Sequence, residues 1–253
     1  MSRISAVLVA TGLLLVGCGA TSTNSTTLTP GGGSGSSSSS SSSSGGGGGG
    51  GITTTLFPVA VGNTWVYNDT IADHPGGTTT NMMTSVTPDS GGQKVTIKTH
   101  SDITGLPATP TTLTYQFNSD GSIEVPYAQV GNNTVTIKSG GIVWPPRAQL
   151  ESGQPHTSTL SLQIKVAGRT TNVQAHVTVK GGGTASVTVP AGTYQATVVV
   201  ETISEHFSGV SVTIEVRTWL ANGVGPVKSV ASTKSGGVSE TVSTEVLKSF
   251  TKG

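Results

Sequence analysis

The chain has 253 residues, a single cysteine, and 13 lysine and arginine residues against 12 aspartate and glutamate residues. Its formal net charge of +1 argues against a protein that binds nucleic acid or anionic lipid through a broad basic surface. One cysteine cannot form an intrachain disulfide, so a disulfide scaffold is excluded as well.

The first seventeen residues have the features of a signal peptide. Arg3 supplies a short positive segment, and Ile4–Val16 is an almost continuous apolar run. This run is too short to span a bilayer comfortably, which favours a cleaved signal over a transmembrane helix. We therefore predict a signal peptide over residues 1–17.

The only cysteine, Cys18, directly follows this signal. Leu15–Cys18 resembles the lipobox of bacterial lipoproteins, in which cleavage leaves the cysteine as the new N-terminus. A thiolate there accepts a diacylglyceryl group, and two or more acyl chains hold a protein stably in a membrane. We predict lipidation of Cys18; the alternative is an unmodified thiol. By the same resemblance, Gly19 in place of an aspartate indicates the outer membrane of the cell envelope.

Residues 18–51 comprise the predicted lipidation site, Cys18, and the low-complexity segment Gly19–Gly51 that follows it. It contains uninterrupted serines over Ser36–Ser44 and uninterrupted glycines over Gly45–Gly51. Such a segment has almost no apolar surface to offset the entropy of ordering, so we expect a disordered tether. It either holds the following domain off the membrane as a stalk or is a neutral repeat, and it does not discriminate among functions.

Residues 52–253 have the composition and alternation of a β-domain. Threonine and valine are abundant, and strong helix formers are scarce. Period-two alternation with one apolar face predicts antiparallel strands that are half exposed to water. We predict a single all-β, antiparallel, meandering domain with ten or more strands. The apolar positions of the clearest runs are Leu160, Leu162, Ile164 and Val166; Val173, Ala175, Val177 and Val179; and Val210, Val212, Ile214 and Val216.

Turn-forming residues mark the connections between these strands. Asn118–Gly121 predicts a hairpin between Leu113–Phe117 and Ile123–Val125. Gly181–Gly183 predicts a break between two strands, and Arg147–Ser152 could form one or two helical turns. Further strands are predicted at Thr64–Thr70, Asn81–Thr87, Lys94–Thr99, Thr134–Lys138, Thr193–Ile203, Gly225–Ser232 and Ser239–Leu247.

The number of predicted strands leaves several architectures open. A strongly twisted sheet of this size curls or splits into layers, so a curved sheet or half-barrel, a closed barrel and a sandwich all fit. Proline cannot donate to a β-ladder, so the proline-rich middle of the chain is predicted to be loop-rich or to lie at a sheet edge. The prolines concerned are Pro107, Pro110, Pro126, Pro145, Pro146 and Pro155.

Short motifs at both ends of the domain resemble those of a mostly uncharacterised group of bacterial envelope lipoproteins. Leu56–Tyr67 is similar to the group's FPxxxGNxWxY opening, Val189–Tyr194 to its VPAGTF segment, and Gly223–Lys228, after Trp219–Ala221, to its GVGxVK segment. The resemblance implies a β-rich fold with a curved sheet, similar to the half-barrel of lipoprotein carriers. It implies no catalytic residues.

Three aromatic residues are the candidate ligand-binding residues: Trp65, Tyr67 and Trp219. They would line a concave apolar surface inside a curved sheet. The alternative is that they are core residues, and the glycine-containing turns beside them are likewise explained by folding alone.

The sequence shows no catalytic or metal-binding motif. The five histidines are scattered without metal-ligand spacing. Glu201, Glu205 and His206 form the best cluster, but on a strand the two glutamates share a face and His206 points to the opposite one. We expect no enzymatic activity, no metal and no cofactor.

Three hypotheses for function follow. The first is a non-enzymatic, membrane-anchored envelope lipoprotein, periplasmic or surface-exposed, whose β-domain binds a lipid-like or lipoprotein partner. The second is a structural or protein-interaction module on a stalk, and the third is a hydrolase of envelope polymers. A hollow interior favours the first hypothesis, a filled core with an exposed strand edge favours the second, and converging carboxylates are required for the third.

Overall fold

The structure, a computed structural model, describes residues 56–72, 74–104, 111–125, 135–166, 169–207, 210–235 and 238–253. These residues form thirteen strands and one short helix, and the all-β prediction is confirmed. The predicted signal peptide, Cys18 and the predicted tether lie outside the described residues. The elements are β1 (Thr64–Ile71), β2 (Gly77–Asp89), β3 (Gly92–Ile103), β4 (Thr111–Asn118), β5 (Ile123–Val125), β6 (Val135–Ser139), β7 (Ile142–Trp144), α1 (Arg147–Ser152), β8 (His156–Val166), β9 (Arg169–Val189), β10 (Gly192–Phe207), β11 (Val210–Ala221), β12 (Gly225–Ser235) and β13 (Val238–Thr251).

All thirteen strands belong to one antiparallel sheet that is not closed into a barrel. Its order is β6-β8-β9-β10-β11-β12-β13-β1-β2-β3-β4-β5-β7. Two meanders, β1 to β5 and β8 to β13, are joined because β13 returns to pair with β1, from Thr64 opposite Thr251 to Ile71 opposite Ser243. The predicted meandering arrangement therefore holds within each half of the chain.

The sheet is rolled, so that its β7 edge lies against the inner face near the opposite edge. Ile142 of β7 packs with buried side chains of β8 and β9, and the Ser158 hydroxyl donates to the carbonyl of Gly141 over 2.9 Å. No ladder hydrogen bonds join β7 to β8 among the described residues. We call this contact line the seam. The proline-rich middle of the chain thus supplies both edge strands, β6 and β7, as its composition predicted.

The helix α1 packs on the inner face against β9, where glycine makes room for it. A Cβ on Gly181 would lie 1.8 Å from the carbonyl oxygen of Leu150, so a larger residue would displace the helix. The prediction that Gly181–Gly183 separates two strands is wrong. The strand continues through it, and the irregularity is a shift of register opposite Thr197 and Val199 of β10. The pairing with β10 on both sides of the triplet outweighs the low strand propensity of glycine.

The interior of the roll is filled by two apolar clusters, and Tyr115 and Trp144 contact both. The aromatic cluster contains Phe57, Trp65, Tyr67, Met83, Val95, Ile97, Phe117, Ile123, Val187, Val189, Ala196, Ala221, Val227 and Leu247. The aliphatic cluster contains Leu56, Val125, Ile142, Leu150, Leu160, Val173, Ala175, Val177, Val179, Val199, Ile203, Ile214 and Leu220.

The two ends of the roll differ in what they carry. The base is the end where β1 begins and β13 ends, and it includes the segment before β1 and the C-terminus. The tip is the opposite end, where β1 ends and β13 begins. The predicted tether joins the domain at the base, because it ends at Gly51, shortly before Leu56 in the sequence.

Candidate functional site

The two motif segments at opposite ends of the sequence are hydrogen-bonded to each other at the base. The indole Nε1 of Trp65 donates to the carbonyl of Val224 over 2.6 Å, and the Tyr67 hydroxyl donates to the carbonyl of Pro226 over 3.0 Å. Gly225 allows this approach: its φ is +93°, and a Cβ there would lie 3.4 Å from Trp65 Nε1. The motifs therefore join β1 to the start of β12.

The segment before β1 is held in the same region. The ring centroid of Phe57 lies 5.6 Å from the ring centroid of Trp65 and 5.5 Å from that of Phe117. The Asn63 side chain donates to the carbonyl of Pro58 and accepts from the main-chain amide of Gly253, each over 3.0 Å. Asn63 therefore links the segment before β1 to the C-terminal residue through hydrogen bonds.

Of the three predicted ligand-binding residues, the structure places Trp65 and Tyr67 inside the aromatic cluster. They are 1% and 4% exposed, on the inward face of β1. Trp219 is half-buried at the margin of this cluster, and the Lys228 ammonium lies 5.1 Å from its ring centroid. Trp65 and Tyr67 come together, while Trp219 contacts a cation on the neighbouring strand.

Toward the tip, the interior contains a pair of carboxyl groups that the sequence analysis did not predict. Asp69 of β1 and Glu245 of β13 are directly opposite each other. Side chains of directly paired residues lie on one face, with Cβ atoms about 4.5–5.5 Å apart. Asp69 is in phase with buried Trp65, Tyr67 and Ile71, so the pair faces inward.

A chain of hydroxyl groups supports one oxygen of Asp69. The Thr79 hydroxyl of β2 donates to Asp69 Oδ2, and a 3.0 Å hydrogen bond joins Thr79 to the hydroxyl of Ser101 of β3. The other oxygen, Asp69 Oδ1, is buried and has no hydrogen-bond partner. Burial raises the pKa of Asp69, and burial together with the nearby Asp69 charge raises the pKa of Glu245.

Two further carboxyl groups lie on the inward face of β10. Glu201 is 8% exposed, and its Oε2 accepts from Trp144 Nε1 over 3.2 Å across the seam. Burial raises the pKa of Glu201 to about 7, although the Trp144 bond opposes the shift. Glu205 is 7% exposed between Ala175 and Val212 on the flanking strands, and its Oε1 has no partner. Burial also raises the pKa of Glu205.

The predicted shared face of Glu201 and Glu205 is therefore confirmed. The side chain of His206 lies outside the described residues. Sequence reasoning missed the Asp69–Glu245 pair, although a signal was present: a carboxylate in phase with apolar neighbours on an alternating strand marks a buried acid.

The interior carboxyl groups have no ion-pair partner among the salt bridges of the described chain. Those salt bridges are Lys94–Asp89, Arg147–Glu151 and Arg217–Glu215, and all involve exposed or half-exposed side chains. Over the same residues, no three histidine, cysteine, aspartate or glutamate side chains form a group that could hold a metal ion. Of the described segments, none forms a helix with the length and hydropathy that crossing a bilayer requires.

The fold, a rolled antiparallel sheet whose described interior contains two apolar clusters, is similar to that of solved structures. A candidate lipoprotein from Parabacteroides distasonis superposes with a TM-score of 0.58 at 17% identity, over 78% of this chain and 98% of that one. A candidate exported protein with a YmcC-like fold from Bacteroides fragilis gives 0.55 at 16% identity, over 78% and 99%. At this identity the likeness concerns the fold.

The sequence profile of one family matches residues 112–247, more than half of the chain. The chain belongs to the DUF3108-like family. No curated protein matches the sequence. The resemblance of its motifs to those of a group of envelope lipoproteins stays a prediction, as does the implied similarity of the fold to the half-barrel of lipoprotein carriers.

Proposed function

We propose that the protein is a non-enzymatic bacterial envelope lipoprotein, anchored through Cys18, whose rolled β-domain binds a protein partner of the envelope. The sequence around Cys18 supports the anchor. The likeness of the fold to a candidate lipoprotein and a candidate exported protein supports the location. The outer membrane remains the predicted site of anchoring, on the basis of Gly19.

The observation that carries the choice of partner is the packing of the aromatic cluster. The residues best suited to line a lipid pocket, Trp65 and Tyr67, are buried, and both donate to main-chain carbonyls of the segment around Gly225. Their surface and their polar atoms are used in holding the sheet together. A filled interior favours an interaction module, which binds through its outer surface or an edge.

A lipid-like ligand is the second candidate, and the seam is the observation that favours it. Side-chain packing and a few side-chain hydrogen bonds, including Trp144 to Glu201, hold the seam closed. A roll closed in this way can open at lower cost than a hydrogen-bonded ladder. A hydrolase is a weaker candidate, because Asp69, which meets Glu245, is only 5% exposed and therefore out of reach of a polymer.

Native mass spectrometry separates the first two candidates. The full lipidated protein is purified in a mild detergent and weighed before and after denaturation, and the released material is extracted into organic solvent. The proposal predicts the mass of the covalently modified chain alone. A stoichiometric lipid-like mass that is lost on denaturation would favour the lipid-binding candidate instead.

Site-specific photo-crosslinking in the native host tests for a protein partner. The probe is placed at Val238, which is 69% exposed at the tip, and in a matched variant at Val61, which is 55% exposed at the base. Because the tether joins the base, we expect a discrete protein adduct from position 238 and none from position 61. Protein adducts from neither position would contradict the proposal.

The anchor is tested separately. Cys18→Ala should abolish incorporation of labelled fatty acid and leave the precursor unprocessed, with Ser22→Ala as the control that leaves both unchanged. Unchanged labelling of the Cys18 variant would refute lipidation at this residue.

A further inference from the structure

The carboxyl pair formed by Asp69 and Glu245 has no counter-charge among the described ion pairs. The two side chains belong to the paired strands β1 and β13 and face the interior. Two carboxylates this close repel one another, and burial strengthens the repulsion. Something must compensate the negative charge when both are ionised.

Hydroxyl groups lie on the strands on both sides of the pair. On one side are the hydroxyls of Thr79 and Ser101, the first of which donates to Asp69 Oδ2. On the other side, Ser229 of β12 is opposite Glu245, and Thr218 of β11 is opposite Ser229. Directly paired residues share a face, so these two hydroxyls point the same way as the Glu245 carboxylate.

One oxygen atom of the pair has no hydrogen-bond partner within the described protein. Asp69 Oδ1 is buried and accepts no hydrogen bond, and Asp69 is only 5% exposed. A buried carboxylate oxygen without a partner is costly, and in folded proteins such an atom calls for a bound water or ion. Glu245 lies directly opposite Asp69 on β13.

We propose that Asp69 and Glu245 form the binding site for one hard divalent cation, held by the two carboxylates and completed by neighbouring oxygen atoms and water. The ion bridges β1 and β13, and therefore the first and last strands of the sheet. In this role it joins the two halves of the chain at the tip, as the Trp65 and Tyr67 hydrogen bonds join β1 to β12 at the base.

The chemistry of the donors selects the class of cation. All of the groups are oxygens, which are the ligands of Ca²⁺ and Mg²⁺, whereas zinc and copper sites rely on histidine and cysteine. Calcium–oxygen distances are about 2.3–2.6 Å, so one ion can reach carboxylates on directly opposite residues. With two acidic ligands only, the site needs hydroxyl and water oxygens, and we expect its affinity to be moderate.

Thermal unfolding of the full lipidated protein in detergent tests this site. Burial and the Asp69 charge raise the pKa of Glu245 to about 8. The protein is therefore treated with EDTA, dialysed to about pH 9 so that the carboxyl groups are ionised, and titrated separately with Ca²⁺ and Mg²⁺. We expect the unfolding temperature to rise with the concentration of at least one ion and to saturate. Calorimetric titration with the same ion should give one site per chain.

Asp69→Asn and Glu245→Gln should each weaken binding by roughly tenfold or more, since each removes a charged ligand at constant size. Glu205→Gln is the matched control, because Glu205 is another buried carboxyl group with an unpartnered oxygen, and it should leave the response to the ion unchanged. Because the two substitutions lie on different strands, ion binding can still be measured in one variant if the other fails to fold.

Two outcomes would overturn the proposal. If neither ion changes the unfolding temperature of the wild-type chain, the two carboxyl groups share a proton and hold no cation. If Asp69→Asn and Glu245→Gln respond to the ion as strongly as the wild type does, the stabilisation arises elsewhere on the surface.

Discussion

The base and the tip of the roll differ in whether their buried polar atoms have hydrogen-bond partners. At the base, Trp65 Nε1, the Tyr67 hydroxyl and both polar atoms of the Asn63 side chain have hydrogen-bond partners. Toward the tip, Asp69 and Glu205 each bury a carboxylate oxygen without one. The base uses buried polar atoms to fix the structure, whereas the tip contains polar atoms that cost stability.

This difference separates structural residues from candidate functional ones. The motif residues that the resemblance singled out lie at the base, where they join β1 to β12 and the segment before β1 to the C-terminus. The costly groups lie toward the tip, the end away from the predicted tether. Groups that reduce stability are retained where a protein needs them for something else, which makes the tip the better place to look for binding.

The largest expected effect is at the base. Trp65→Ala removes a fully buried ring that packs on Phe57 and Phe250, together with its hydrogen bond to Val224. We expect the free energy of unfolding to fall by about 3–5 kcal/mol, measured by urea denaturation. Trp219→Ala is the control, since Trp219 is half-buried. An equal loss in both variants would mean that the base is not a specifically packed region.

The pH dependence of the free energy of unfolding tests the burial of Glu201 on the inward face of β10. Burial raises the pKa of Glu201 from 4.5 to about 7, so the folded state binds the Glu201 proton more tightly than the unfolded state does. Its contribution is fully present below pH 4.5 and is lost as the pH rises to about 7, a difference of roughly 3 kcal/mol.

Glu201→Gln keeps an acceptor for Trp144 and removes the titration. Over this pH range, the free energy of unfolding of the variant, measured by denaturation, should lack the decrease that the titration of Glu201 causes in the wild type. The matched control is Glu215→Gln, which removes a half-exposed carboxylate from the neighbouring strand. A wild-type curve that rises between these pH values and is unchanged in Glu201→Gln would contradict the burial of this group.

The packing of α1 on the inner face gives a smaller effect. Gly181→Ala places a Cβ against the Leu150 carbonyl oxygen and should displace α1, at a cost of about 1–3 kcal/mol. Gly141→Ala, where a Cβ meets no atom within 4 Å, is the control and should be nearly neutral. An equal free energy of unfolding in the two variants would show that α1 does not pack against β9.

Much of the sheet could be predicted because its information is local. The alternation of Val173, Ala175, Val177 and Val179 sets the inward face of β9, and all four side chains are buried. The helix at Arg147–Ser152 and the hairpin around Asn118–Gly121 were likewise predicted from neighbouring residues. In each of these cases the side chains that decide the structure are close in sequence.

The rolled arrangement and the carboxyl pair could not be predicted in this way. The pairing of β1 with β13 depends on the relative stability of many alternative registers, which a short pattern does not reveal. Asp69 and Glu245 become neighbours only through that pairing. The glycine triplet was misjudged for the same reason, since its role depends on α1 and β10, which pack against it.

The most direct test of the difference between base and tip compares two conservative substitutions in one urea titration at about pH 7. Tyr67→Phe removes a buried hydroxyl with a partner and should lower the free energy of unfolding by about 1 kcal/mol. Glu205→Met replaces a buried carboxyl group without a full set of partners and should raise it by about 1 kcal/mol. Opposite signs are the predicted result; changes of the same sign would contradict the account.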